Sequence, residues 1–186
     1  MQSQDAIEDV RGVLYKFQDA YTARDLARLD EAMRLFFQGE GVEMIGIGAS
    51  ERNGNEWFMG LPAIREIIQG DWEYWGDVCF DVRGAKITVV GDVAWLSTTG
   101  KVIQTGAFTQ AMPLYVRQMK SFLEKVETEG ADPDQAMMEA THYGIRRLRE
   151  RAKGDGHPWP LVFTAVLVRG EAGWQFHTLH WSMPVD

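Results

Sequence analysis

Hydrophobic residues change period along this chain, and the places where they do so limit the folds open to it. Ile7, Val10, Leu14, Phe17 and Tyr21 recur at steps of three and four, the spacing of one stripe on an α-helix. Asp5 with Glu8 three residues on has the form of a capping box at its start. Leu26, Leu29, Met33 and Phe36 repeat the rhythm after Asp25 and stop near Gly39 and Gly41, where glycine ends a helix cheaply. From Val42 the period drops to two: Val42, Met44 and Gly46 alternate with Glu43, Ile45 and Ile47, which is strand spacing. After a polar loop over 49–56, Pro62 stands early in a third helix with Ile64, Ile67, Ile68 and Trp72 on one side. A run from Val78 to Val90, a tight turn at Gly91-Asp92 and a return over Val93 to Ile103 read as a hairpin. Pro160 to Arg169 and Trp174 to Met183 form a second strand pair across Gly170-Glu171-Ala172-Gly173.

Between the two pairs the helical period returns. Tyr115, Met119, Phe122, Leu123 and Val126 mark one helix, GADPD is a turn with Asp134 as its cap, and Met137, Met138, Ile145 and Leu148 mark another. Residues 107–156 are therefore expected to form a helical hairpin inserted between two strands. With 186 residues and about 150 per domain, the whole chain 1–186 reads as a single domain. Helices that come first and hairpin-linked strands that follow predict an α+β fold, with a curved antiparallel sheet packed on the N-terminal helices.

Composition removes several function classes. At 45% hydrophobic and 25% charged residues the chain is not disordered. A net charge of −8 disfavours a phosphate backbone, so no nucleic-acid partner is expected. Cys79 stands alone, which excludes an internal disulfide and a cysteine zinc site. The opening MQSQDAIEDV lacks a basic start and an apolar run, and no stretch of ~18 apolar residues follows. A cytoplasmic protein with no membrane partner is the expectation. Gly46-Ile47-Gly48 lacks the third glycine of a dinucleotide loop, and there is no P-loop lysine motif, so no cofactor is predicted. His177 and His180 would point to opposite faces of a strand, which counts against a shared metal. The basic run Arg146 to Lys153 suits the C-terminal end of a helix and reads as a solvated face, with a site for an acidic partner as the competing reading.

Four segments together resemble the nuclear transport factor 2-like superfamily, in its SnoaL-like branch: FQDAYTARDLARL, EMIGIGASERNGNEWFMGLPAIREII, KITVVGDVAWLSTTGKV and VLVRGEAGWQFHTLHWSMP. The resemblance spans about residues 5–104 and 159–184 and lies in the ordered set rather than in any single motif. It implies a cone-like barrel in which a strongly bent sheet and the long first helix enclose a pocket open at one end. The inserted helices depart from the short connection usual in the family. Proteins of this kind include ketosteroid isomerase, polyketide cyclases, dehydratases, small-molecule binders and association modules, so function must be argued from residues.

In the resembling family the positions of Trp174 and Phe176 point into the cone, so strand parity sends Thr178, His180 and Ser182 inward as well. His180 and Ser182 are the catalytic candidates: an imidazole beside a hydroxyl can hold a carbonyl oxygen or exchange a proton near neutral pH. A buried structural histidine is the competing reading. Glu43 and Asp81 are strand carboxylates expected on the outer face, and Glu56 and Asp71 are expected at the pocket rim. Tyr21, Met44, Trp57, Trp72, Trp95, Trp174 and Thr178 are the expected pocket wall, which favours a small apolar or aromatic molecule. Leu179, Trp181 and Met183 are expected on the convex face, apolar enough for a homodimer contact. Three functions stay open: a small-molecule pocket without a named activity, a cofactor-independent cyclase, isomerase or dehydratase using His180, and a protein-association module.

Overall fold

The structure, a computed structural model, describes residues 4–37, 39, 41–49, 52, 56–105 and 110–184. The chain divides into two compact units, one of Met1–Ile103 with Pro158–Asp186 and one of Gln104–His157. Among the described residues no helix is long and apolar enough to cross a membrane.

In the first unit, α1 (Gln4–Ala23) buries Val10, Leu14, Phe17 and Tyr21, four of the five stripe positions. Asp25 caps a short 3-10 turn at Leu26–Arg28, its carboxylate accepting the Ala27 N–H at 3.1 Å. Helix α2 (Leu29–Phe36) then buries Leu29, Met33 and Phe36. Short strands β1 (Glu43–Ile45) and β2 (Trp57–Met59) lead into α3 (Gly60–Tyr74). Then come β3 (Gly76–Phe80), β4 (Lys86–Val90), β5 (Val93–Gln104), β6 (Pro158–Gly170) and β7 (Gly173–Ser182). They form one mixed sheet in the order β2-β1-β7-β6-β5-β3, with β4 also paired to β5. The β1–β2, β4–β5, β5–β6 and β6–β7 pairs are antiparallel, whereas β1 runs parallel to β7. The α+β class with a curved sheet against the N-terminal helices is thus observed, with one parallel pair inside it.

Two expectations need correction. The continuous strand read over 78–90 is two strands joined by a turn at Asp81. Its carboxylate accepts the Gly84 N–H at 2.9 Å, and its backbone stays tied to β5 through Thr99 O and the Thr98 hydroxyl, both at 2.8 Å. Val78, Phe80 and Val82 are buried in alternation straight up to this turn, so periodicity conceals it. A Cβ on Gly84 would lie 2.1 Å from an Asp81 carboxylate oxygen, so a larger residue there displaces the carboxylate that closes the turn.

The second correction concerns β7. Leu167 of β6 faces Phe176, but Val166 faces Thr178, so His177 is an extra residue, a β-bulge. Since side chains alternate with a period of two, one extra residue reverses every later assignment. Trp174 and Phe176 point into the core as read, and beyond the bulge it is Leu179 and Trp181 that do so, at 0% and 2% exposure. Thr178, His180 and Ser182 therefore lie on the opposite face, and Leu179 and Trp181 are not available to a convex-face contact.

In the second unit, α4 (Met112–Thr128) buries Tyr115 and Phe122, and α5 (Pro133–Lys153) buries Ala136, Ala140 and Gly144. The cap of α5 is Asp132 rather than Asp134: its side chain accepts the Gln135 N–H at 2.9 Å, and Pro133 takes the first helical position, where its missing N–H costs nothing. Within the basic run, Arg147 is not solvated. It lies 4.6 and 4.9 Å from the Tyr115 and Tyr143 ring centroids and donates to Glu150 at 2.8 Å. Burial opposes its charge, but Glu150 and the two phenols hold its pKa above the ordinary arginine value.

Candidate functional site

The concave side of the sheet is filled by rings. Phe17 of α1 has Phe176 at 5.0 Å, Tyr21 at 5.1 Å, Phe36 at 5.3 Å and Trp181 at 6.1 Å between centroids. Phe163 and Phe80 close on Trp181 at 4.8 and 5.7 Å. Four of the expected wall residues, Tyr21, Met44, Trp72 and Trp174, are members of this packed cluster rather than of a hollow. Its polar feature is the Tyr21 hydroxyl, which donates to Asp71 of α3 at 3.0 Å. Burial, then the negative charge of Asp71 and the hydrogen bond to it, push the Tyr21 pKa well above its ordinary value. The pair ties α1 to α3.

The residues that sequence reading placed inside at the end of β7 meet on the other face of the sheet. Here the register builds two rows across four strands. One runs Lys86, Ser97, Thr164, His180, and the next runs Thr88, Trp95, Val166, Thr178. The rows enclose an open groove of about 370 Å³, near the lower end of the volumes of small-molecule sites. Trp95 is 47% exposed and forms an aromatic wall. Every side chain in the first row carries a hydrogen-bond donor, and among the described residues the groove lining contains no carboxylate. His180 is exposed on this face, as is His177, so the expected opposition of the two imidazoles does not hold. His177 Nδ1 lies 3.0 Å from Thr178 Oγ1, which leaves His180 as the imidazole of the groove.

The structure thus brings Trp95, Thr178 and His180 together and separates them from Tyr21, Met44, Trp72 and Trp174. Ser182 continues the outward parity one step past the groove and is exposed. Trp57 is half-buried on β2 beneath the Arg52 guanidinium, 5.6 Å from its ring. Lys86, Ser97 and Thr164 were not singled out from the sequence. Outward parity on β4, β5 and β6 contains them, but membership in a row depends on cross-strand register, which a single strand's pattern does not carry. The other carboxylates serve the scaffold. Glu43 stands 4.0 Å from Arg52, Glu56 accepts the Gly48 N–H at 2.7 Å, and Asp81 closes the turn described above.

Residues 10–117 match the SnoaL-like domain. Among solved structures, the chain is similar to an NTF2-like protein of unknown function from Pseudomonas putida, at 13% identity and a TM-score of 0.58 over 100% of this chain and 92% of that one. A nuclear transport factor 2 (NTF2-like) superfamily protein from Salmonella enterica serovar Typhimurium gives 10% identity and a TM-score of 0.58, covering 100% of this chain and 95% of the other. A ketosteroid isomerase-like protein from Erwinia carotovora atroseptica gives 11% identity and a TM-score of 0.58, covering 99% of this chain and 100% of the other. At such identities the likeness concerns the fold alone. No curated protein matches the sequence.

Proposed function

Because the chain belongs to the SnoaL-like domain family, whose shared fold leaves activity open, we propose from its own surfaces that it binds a small, largely aromatic molecule bearing an acceptor group, in the groove on the outer sheet face. The observation that carries this reading is the row Lys86, Ser97, Thr164, His180 running beside the Trp95 wall around about 370 Å³ of space. A planar ring stacks on the indole, and hydroxyl, ammonium and imidazole N–H groups donate to its oxygen atoms. An aryl carboxylate suits the site better than an aryl amine, since Lys86 is cationic and no described lining residue is anionic. The same row supports acid–base chemistry at His180 only if a ligand there presents a proton to it.

A second reading has its own observation. Val90 and Val93 are exposed in the row next to Trp95, so a second copy seated on this sheet face would cover an apolar patch. One experiment separates the two. Tryptophan fluorescence is titrated with a panel of aryl carboxylates and their neutral amides, alongside sedimentation of the same samples. The binding reading expects saturable quenching by carboxylates, weakened about tenfold or more by Trp95→Ala and by Lys86→Ala. Failure of every compound at about millimolar concentration, together with a dimer that Trp95→Asp dissociates, would establish the association reading instead.

A further inference from the structure

The second unit carries a surface that neither its own packing nor the groove explains. Met137, Met138, Ile145 and Leu148 of α5 are each more than half exposed, an unusual state for four large apolar side chains on one helix. Three of the four fall on one line. Met138, Ile145 and Leu148, with Asp134, Thr141 and Ala152, are spaced four, three, four, three and four apart from Asp134 to Ala152, the spacing of a coiled-coil seam. At 100° per residue this seam lies about a third of a turn from the face that Ala136, Ala140 and Gly144 press against α4. The hairpin therefore satisfies one side of α5 and leaves a second apolar stripe uncovered.

We propose that α5 is a self-association surface, in which the seams of two copies of this chain pack antiparallel about a two-fold axis. The sequence along the helix argues for this occupant over others because the stripe is complementary to its own reverse. Turned end for end about the middle of the seam, Met138 faces Leu148 of the second copy and Thr141 faces Ile145. The acidic N-terminal turn with Asp134 then meets the basic C-terminal turn with Arg149 and Arg151, both exposed. A parallel pairing would instead put the acidic turns together and the basic turns together, where like charges repel. An acidic amphipathic peptide would answer the basic end only, and the acidic end, with Asp132 and Asp134, disfavours an anionic membrane. A seam of six positions per copy is at or below the ~1,200 Å² lower bound of stable interfaces, so the association should be micromolar rather than nanomolar.

Sedimentation equilibrium of the full chain between about 5 and 200 µM tests this directly. The expected result is a reversible dimer. Ile145→Glu and Leu148→Glu should each raise the dissociation constant about a hundredfold, with unchanged circular dichroism, because both side chains are exposed in the monomer. Asp134→Arg should weaken association about twofold to fivefold, and adding Arg151→Asp should restore it. Register has its own readout, independent of how well the glutamate variants fold. In a Cys79→Ser background, Met138→Cys mixed with Leu148→Cys should form a disulfide between copies under mild oxidation. Met138→Cys alone should not. A monomer throughout the concentration range would overturn the proposal. So would a dimer indifferent to Ile145→Glu but lost with Trp95→Asp, or self-linking of Met138→Cys. Monomer sedimenting with vesicles of phosphatidylcholine and phosphatidylglycerol would also overturn it, by giving the stripe to a membrane. Ligand quenching at the groove is measured on the same α5 variants and should not change, so the two proposals fail separately.

Discussion

Tyr21 contributes nothing to the surface, and its phenol hydrogen-bonds a carboxylate inside a cluster of rings. Ionising it would place two negative charges side by side in an apolar setting, which is why its pKa is raised. The sign of the stability effect follows from linkage. The folded state holds this proton more tightly than the unfolded state, so the contribution is complete below about pH 10 and declines as pH rises beyond it. Tyr115, its pKa pushed up to about 12, chiefly by burial, acts in the same direction in the second unit. Absorbance titration at alkaline pH should show both phenols ionising late and together with unfolding. Tyr21→Phe should lower stability by about 1 kcal/mol at neutral pH and make the alkaline decline shallower. The helix stripe alone marks Tyr21 as interior. Its bond to Asp71 joins residues fifty positions apart and has no local signature.

At the level of elements, spacing locates most helices and strands because each buries one face, and burial sets the period. Which face a strand buries is a finer matter. On β7 it depends on His177, a residue whose exposed side chain does nothing that hydropathy registers. Strand parity therefore points Trp174 and Phe176, before the bulge, into the core, and fails for His180 and Ser182 beyond it. Deleting His177 should be far worse than replacing it. Without the extra residue, either Trp174 and Phe176 or Leu179 and Trp181 must turn outward. Losing two such burials at about 2 to 3 kcal/mol each approaches the whole stability of a typical domain. The deletion variant should show no cooperative thermal transition, whereas His177→Ala should stay within about 0.5 kcal/mol of the parent. The turn at Asp81 escaped a periodic reading for a related reason: three buried residues keep perfect alternation up to it.

For the molecule as a whole, the two units have different kinds of core. The first is held by aromatic rings and by strands β5, β6 and β7, paired over most of their lengths. Among its described residues, the second rests on Tyr115 and Phe122, on the small residues Ala111, Ala136, Ala140 and Gly144, and on the Arg147 cluster. Few buried apolar contacts mean low local stability. Amide hydrogen exchange should therefore find α4 and α5 opening at lower free energy than β6 and β7. Equal protection in both would mean that the units unfold as one. Dimerisation through α5 would raise protection there as concentration increases, by mass action.

The extra residue in the last strand also bears on how this chain is compared with its relatives. An alignment that slides past position 177 without opening a gap will match each later interior side chain to an exterior one whenever the relative's strand is regular. Roles borrowed across such a column would then be assigned to side chains on the wrong side of the sheet, however good the overall score.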